Sequence, residues 1–228
     1  KIMGSVWCRD ANGPATKKTP GTMTSQTGRR DDVASDHVPP LPSPLTEPMI
    51  FLSKQQRDLD IVRGMPNAEP PCWVPARLIA DALGWDHSGI EAAVASLGGR
   101  PYVWATELEN VHALWNYEEP GFQVDGLPYE DAEHYFHCMK KPFKTGAGFD
   151  SAGWDRERDA VMRRALRLKW EHAPDGILEN LLRASGEHPL LSLKADAYWG
   201  FDPRAGRGEN RLAMLWEEMR GELVPRGH

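Results

Sequence analysis

The stretch EHYFHCMKK at residues 133–141 brings a carboxylate, two imidazoles, a thiol and two ammonium groups close together. Read as a helix over about 130–141, it places Ala132, Tyr135, Phe136, Met139 and Phe143 at steps of three, four and seven, an apolar stripe. Glu133, His137 and Lys140 fall at i, i+4 and i+7 on the adjoining face. Groups beside such a seam lose part of their hydration, which suits proton transfer by an acid and attack by an amine. Two other readings use the same residues. His134, His137 and Cys138 have metal-ligand chemistry, but the other histidines and cysteines form no matching pair, so no metal or other cofactor is expected. Glu133 with His137 or Lys140 can also be a solvated surface pair, worth about 0.2–0.5 kcal/mol.

The elements that must position these groups emerge from composition and pattern. The chain has 228 residues, 40% of them hydrophobic, and a net charge of -6. That balance argues against a surface coated in phosphate-binding charge and leaves room for a local basic patch. Cys8, Cys72 and Cys138 make neither a disulfide framework nor a four-cysteine zinc site, and point to a reducing, intracellular and cytoplasmic setting. No apolar run approaches the roughly 18–20 residues that cross a bilayer, and no leader pattern opens the chain, so no membrane partner is expected.

Residues 1–45, rich in Pro, Ser and Thr, read as a flexible tail that buries too little surface to offset its ordering entropy. Residues 46–100 read as a small helix-turn-helix-like helical domain. SKQQRDLDIVRG starts at Ser53, VPARLIADALG stops at Gly84, and DHSGIEAAVASLGG presents Ile90, Val94 and Leu97 on one face. Lys54, Arg57, Arg63 and Arg77 face an excess of acidic residues here, and the third helix carries no Lys or Arg. Phosphate contacts dominate nucleic-acid affinity, so a packing or protein-contact role is favoured. Beyond residue 100, RPYVWA and GFQVDG read as strands, the second ending in the turn pair Asp125-Gly126. Helices follow at about 130–141, 154–172, 174–184 and 209–221, with HPLLSL as a short strand. The fold class expected is α+β, helix-rich with a few short strands. The closing LVPRGH reads as a protease-site and tag remnant, so residues 223–228 are set aside.

Five blocks occur in order: VDGLPYEDAEHYFHCMKK, WDRERDAVMRRALRLKW, LLRAS, DAYWG and GRGENRLAMLWEEMR. Together they resemble the NADAR, or YbiA-like, family over about residues 101–222. The resemblance implies an N-glycosidase that cleaves a bond at a ribose anomeric carbon. Similar proteins either hydrolyse ribosylamino-pyrimidine phosphates of riboflavin synthesis or remove ADP-ribose from modified guanine. The partner implied is an ADP-ribose-containing or ribosyl-phosphate substrate. A nucleic-acid partner stays open, as does a module that binds ADP-ribose or NAD without turnover.

The resemblance also assigns roles. Glu133 matches the family's glutamate, where a carboxylate can stabilise an oxocarbenium ion or handle a proton. Lys140 matches a motif lysine; as an amine it can attack the ring-opened aldehyde and form a Schiff base. His137 and Cys138 depart from the neutral residues usual there, which bears on substrate choice. LWNY at 114–117 looks like the family's FSNF loop, and its Asn116 can bond ribose hydroxyls or make an Asx turn. Trp199 can stack on a base or pack in the core. Asp196 can orient a ribose or cap a turn. RAGRGENR precedes a helix, so Arg204, Gly206, Arg207, Gly208 and Asn210 form a candidate phosphate site, with Asn210 alternatively an N-cap. Lys169 matches a family lysine on the helix that also carries Arg163, Arg164 and Arg167, a solvated face or a pyrophosphate contact. The connection 142–153 is shorter than is common in similar proteins, which either opens the site to a bulky substrate or removes part of the pocket.

Overall fold

In the computed structural model, the residues described are 38–52, 65, 69–105, 108, 122–129, 132–173 and 176–224. A three-stranded mixed sheet is organised around β1 (Met49–Leu52), with strand order β2-β1-β3. β2 (Cys72–Pro75) runs antiparallel to it, pairing Met49 with Pro75 and Leu52 with Cys72. β3 (Val103–Ala105) runs parallel to it, pairing Met49 with Val103 and Phe51 with Ala105. All four β1 side chains are buried, as a central strand covered on both faces requires. The period-two alternation divides them. Met49 and Phe51 enter one hydrophobic cluster, and Ile50 and Leu52 enter the other.

The second cluster is roofed by α1 (Ala76–Leu83) and α2 (Ser88–Ser96), through Ala76, Ile79 and Ala93. The turn between them follows the sequence reading. Gly84 sits at φ 65, in the left-handed region, and its N–H closes the helix onto Ala80 and Asp81. Residues 46–100, read from sequence as a helical domain, supply both β1 and this helix pair, and residues 36–228 form a single unit by contact. The expected helix starting at Ser53 lies outside the described residues.

The first cluster holds the remaining helices. A hairpin of β4 (Phe122–Val124) and β5 (Leu127–Tyr129) turns at Asp125 and Gly126, both at positive φ, as the sequence pair predicts. It leads into α3 (Ala132–Met139), a short 3₁₀ turn at Lys141–Phe143, and a second hairpin of β6 (Lys144–Thr145) and β7 (Gly148–Phe149). The long α4 (Ser151–His172) starts where the Asp150 carboxylate accepts the Gly153 N–H at 2.9 Å, a cap worth about 1 kcal/mol. α5 (Ile177–Ala184) and α6 (Arg211–Leu223) complete the layer. HPLLSL contributes one parallel bridge, Leu190 to Val103, and the Leu190 N–H is met by Glu217 of α6 at 2.6 Å. The class is therefore mixed, helix-rich with short strands.

The basic face of α4 packs against an acidic face of α6. Arg163 binds Glu218 and Glu222, and Arg167 binds Glu222 at 3.2 Å. These arginines are engaged in a half-exposed ion-pair ladder, each rung worth about 0.2–1 kcal/mol.

Candidate active site

α3 carries the acid and positions the amine that follows it. Tyr135 and Phe136 are buried and fix the helix roll, which leaves Glu133 on its shoulder with a third of its side chain exposed. The Glu133 carboxylate lies 3.1 Å from Nε2 of His137, one turn later. Pro142 follows within the 3₁₀ turn and has no N–H to extend the helix, yet Lys140 keeps helical torsions of φ -76 and ψ -20. Lys140 therefore stays in phase with Glu133, about 10 Å further along the axis.

Aromatic rings surround this line. Lys140 Nζ lies 5.2 Å from the Phe149 ring centroid and 5.5 Å from that of Trp154. Phe149 is delivered by the short β6–β7 hairpin and Trp154 by the first turn of α4. Phe136 then packs edge-on against Trp154 at 5.2 Å and against Trp199 at 5.7 Å. Lys140 and Trp199 are thus linked through Trp154 and Phe136, while Glu133 is placed by its contact with His137. A hollow of about 440 Å³ opens where α3 meets the start of α4, lined by residues that include Met139, Phe143, Gly153 and Arg156 and by none of Glu133, His137, Lys140 and Trp199. Among the described residues no group of His, Cys, Asp and Glu side chains is placed to hold a metal ion.

Other candidates are placed differently. Asp196 caps a turn: its Oδ1 accepts the backbone N–H of Tyr198 at 2.9 Å and of Trp199 at 2.8 Å. Asn210 is a bracket between segments. Its Oδ1 accepts the Ser192 N–H at 2.9 Å, its Nδ2 donates to the Leu190 carbonyl at 2.9 Å, and it makes no side-chain cap bond. Lys169 is fully buried, with Nζ 5.9 Å from the Trp216 ring.

The glycine-rich loop also departs from the outward-facing anion site that its sequence suggests. The N–H groups of Arg204 and Ala205 turn onto the Asp202 carboxylate, and those of Gly206 and Arg207 onto the Asp202 carbonyl. At the helix start, Arg211 and Leu212 donate to the carbonyls of Tyr198 and Trp199, which occupy the place a phosphate would take. The loop lies against the helix pair on the other face of the sheet. A Cβ on Gly206 would sit 3.5 Å from that of Ala92, and the Arg204 guanidinium is 5.9 Å from the Trp85 ring. Gly208 is required for close packing, since a Cβ there would meet the Gly200 carbonyl at 2.2 Å. Asn116 lies outside the described residues.

A set that sequence reading missed surrounds Tyr198, the chain neighbour of Trp199. Asp159 of α4 accepts the Tyr198 hydroxyl at 2.5 Å and Nε of Arg211 at 2.5 Å. The Arg158 guanidinium stacks 3.3 Å from the Tyr198 ring centroid. Burial pushes the Asp159 carboxyl up, but its bonds to Tyr198 and Arg211 outweigh that and hold it below the usual aspartate value. The pairs span 39 and 52 residues, so only a dense run of charge in WDRERD hinted at them.

A 32% identity over 123 residues links the chain to N-glycosidase YbiA of Escherichia coli strain K12, covering 45% of this chain and 75% of that protein. The chain belongs to the YbiA-like (NADAR) family. Proteins of the same name from Shigella boydii serotype 4 and Shigella flexneri are 30% identical over 130 residues and 29% over 137, covering 75% and 79% of their lengths. No family model matches the chain. No solved structure matches it.

Proposed function

We propose that the chain is an N-glycosidase, acting at a ribose anomeric carbon and, most specifically, removing ADP-ribose from a modified guanine base. N-glycosidase chemistry follows from membership in the YbiA-like family. The observation that carries the site assignment is the line Glu133, Phe136, Lys140 on one half-buried helix edge, backed by Trp154 and Trp199. Glu133 stabilises positive charge at C1 and supplies a proton to the departing nitrogen. Lys140 attacks C1, the C1–N bond breaks, and the protonated base leaves. The ring oxygen takes up a proton as the ring opens to an imine. Water then hydrolyses the imine, releasing the sugar aldehyde and restoring the amine.

The short connection supports a bulky substrate. It folds as a hairpin of two-residue strands with exposed side chains, which sets Phe149 beside Lys140 and adds no further helix over the site. A phosphorylated ribosylamino-pyrimidine of riboflavin synthesis is the second substrate class, equally compatible with the name its relatives carry. The test is incubation with an oligonucleotide bearing ADP-ribosylated guanosine and, separately, with the pyrimidine ribosyl phosphate. Release of ADP-ribose, lost in Glu133→Gln, supports the first reading. Turnover of the small phosphate alone supports the second. Tight ADP-ribose binding with neither turnover would make the protein a binding module and overturn both.

A further inference from the structure

We infer that Asp159 is a positioning residue that holds the Tyr198–Trp199 pair against the helix that carries Glu133 and leads into Lys140. The inference rests on the reading above that Trp199 lines the substrate site, and extends it to a residue to which nothing so far gives a role. The backbone groups of the pair and the Tyr198 hydroxyl are tied to three places. The two N–H groups go to the Asp196 carboxylate. The two carbonyls accept from Arg211 and Leu212 at the start of α6. The Tyr198 hydroxyl goes to Asp159 on α4.

Asp159 is the junction of these ties. It bonds the Tyr198 side chain directly and, through Arg211, the residue whose N–H meets the Tyr198 carbonyl. Arg158, its neighbour on α4, covers the Tyr198 ring face. The Tyr198 and Trp199 rings meet edge-on at 4.8 Å, and Trp199 passes the contact to Phe136 at 5.7 Å. Asp159 is some distance in the chain from both α3 and Trp199, yet its carboxylate fixes the angle at which the indole meets the α3 edge. Carboxylate bonds to Arg and Tyr are charge-assisted and directional, so they set an orientation as well as a distance.

Protein labelled with 5-fluorotryptophan gives the test, with the Trp199 fluorine signal assigned by its loss in Trp199→Phe. Asp159→Asn and Tyr198→Phe are expected to shift or broaden that signal while the other tryptophan signals hold. Glu222→Gln, which breaks ion pairs on the same helix pair without touching Tyr198, leaves it in place. In turnover of the substrate identified above, Tyr198→Phe raises KM by about tenfold with a smaller change in kcat, as loss of a stacking orientation predicts. A Trp199 signal unmoved in both Asp159→Asn and Tyr198→Phe overturns the inference. Tyr198→Phe keeps the test intact where Asp159→Asn fails to fold. Absence of turnover in the wild-type protein counts against the proposed function alone, because the fluorine readout needs no substrate.

Discussion

The Lys140 ammonium lies over the Trp154 ring, 5.5 Å from its centroid, with the Phe149 ring 5.2 Å away. Two aromatic faces restrict where the amine travels and replace part of its water shell. Arginine at this position would keep the cation over the rings but cannot add to C1 and form the imine. Lys140→Arg is therefore expected to fold normally and lose at least about 10² in turnover. Borohydride reduction during turnover should leave a sugar adduct on the wild-type chain, located at Lys140 by mass spectrometry. Wild-type turnover by the arginine variant would remove the amine from the mechanism.

Asn210 combines a positive φ of 56 with two side-chain bonds to the 190–192 segment. Alanine there would strain the backbone and leave the Ser192 N–H and Leu190 carbonyl unmatched. We expect Asn210→Ala to lose about 2–4 kcal/mol in urea unfolding. Asn210→Gly should recover the strain component only, so its midpoint should fall between the two.

Gly89 has no room for a side chain, because a Cβ would stand 1.9 Å from the Pro203 carbonyl oxygen. Gly89→Ala must displace backbone and should cost about 1–3 kcal/mol, read from the thermal midpoint. Gly84→Ala tests strain without crowding: φ is 65 and nothing lies within 4 Å of the added methyl, so a loss of about 1–2 kcal/mol is expected.

Burial, with added repulsion from Arg100 and Arg220, holds the His188 imidazole below the ordinary histidine value. The sign follows from that depression. Above pH of about 6.5 both folded and unfolded chains leave this group neutral. As pH falls below that value, the unfolded chain takes the proton first, so stability declines. His188→Gln should flatten the fall in thermal midpoint between about pH 6.5 and pH 5. An unchanged slope would assign the pH dependence to other groups.

Tyr102 is wholly buried, its hydroxyl has no hydrogen-bond partner among the described residues, and burial pushes its pKa up. Tyr102→Phe removes an unmatched polar atom and keeps the ring. Its stability should equal or exceed that of the wild type by up to about 1 kcal/mol in chemical denaturation.

Local signals carried much of the fold. Asp125-Gly126 marked the hairpin turn, Gly84 ended α1, the apolar stripe located α3, and α4, α5 and α6 fall close to the helices expected at 154–172, 174–184 and 209–221. β1 was not legible: MIFL is too short for its pattern to separate strand from helix, and its partners lie at least twenty residues away. In the site, Glu133 and Lys140 could be paired because helical phase is local. The burial of Lys169, the Asn210 bracket and the Asp159 junction depend on contacts far apart in sequence. The glycine-rich loop misled for a related reason. Spacing reveals that N–H groups converge, but not that Asp202 and the 198–199 carbonyls already satisfy them.

β1 also bears on how the protein can be divided. A truncation beginning at residue 101 would keep the resembling blocks but delete the middle of the sheet. β3 would be left with a naked hydrogen-bonding edge, and a void would open where the Phe51 ring fills the interior. Such a fragment would be insoluble, and its inactivity would say nothing about the chemistry at Glu133.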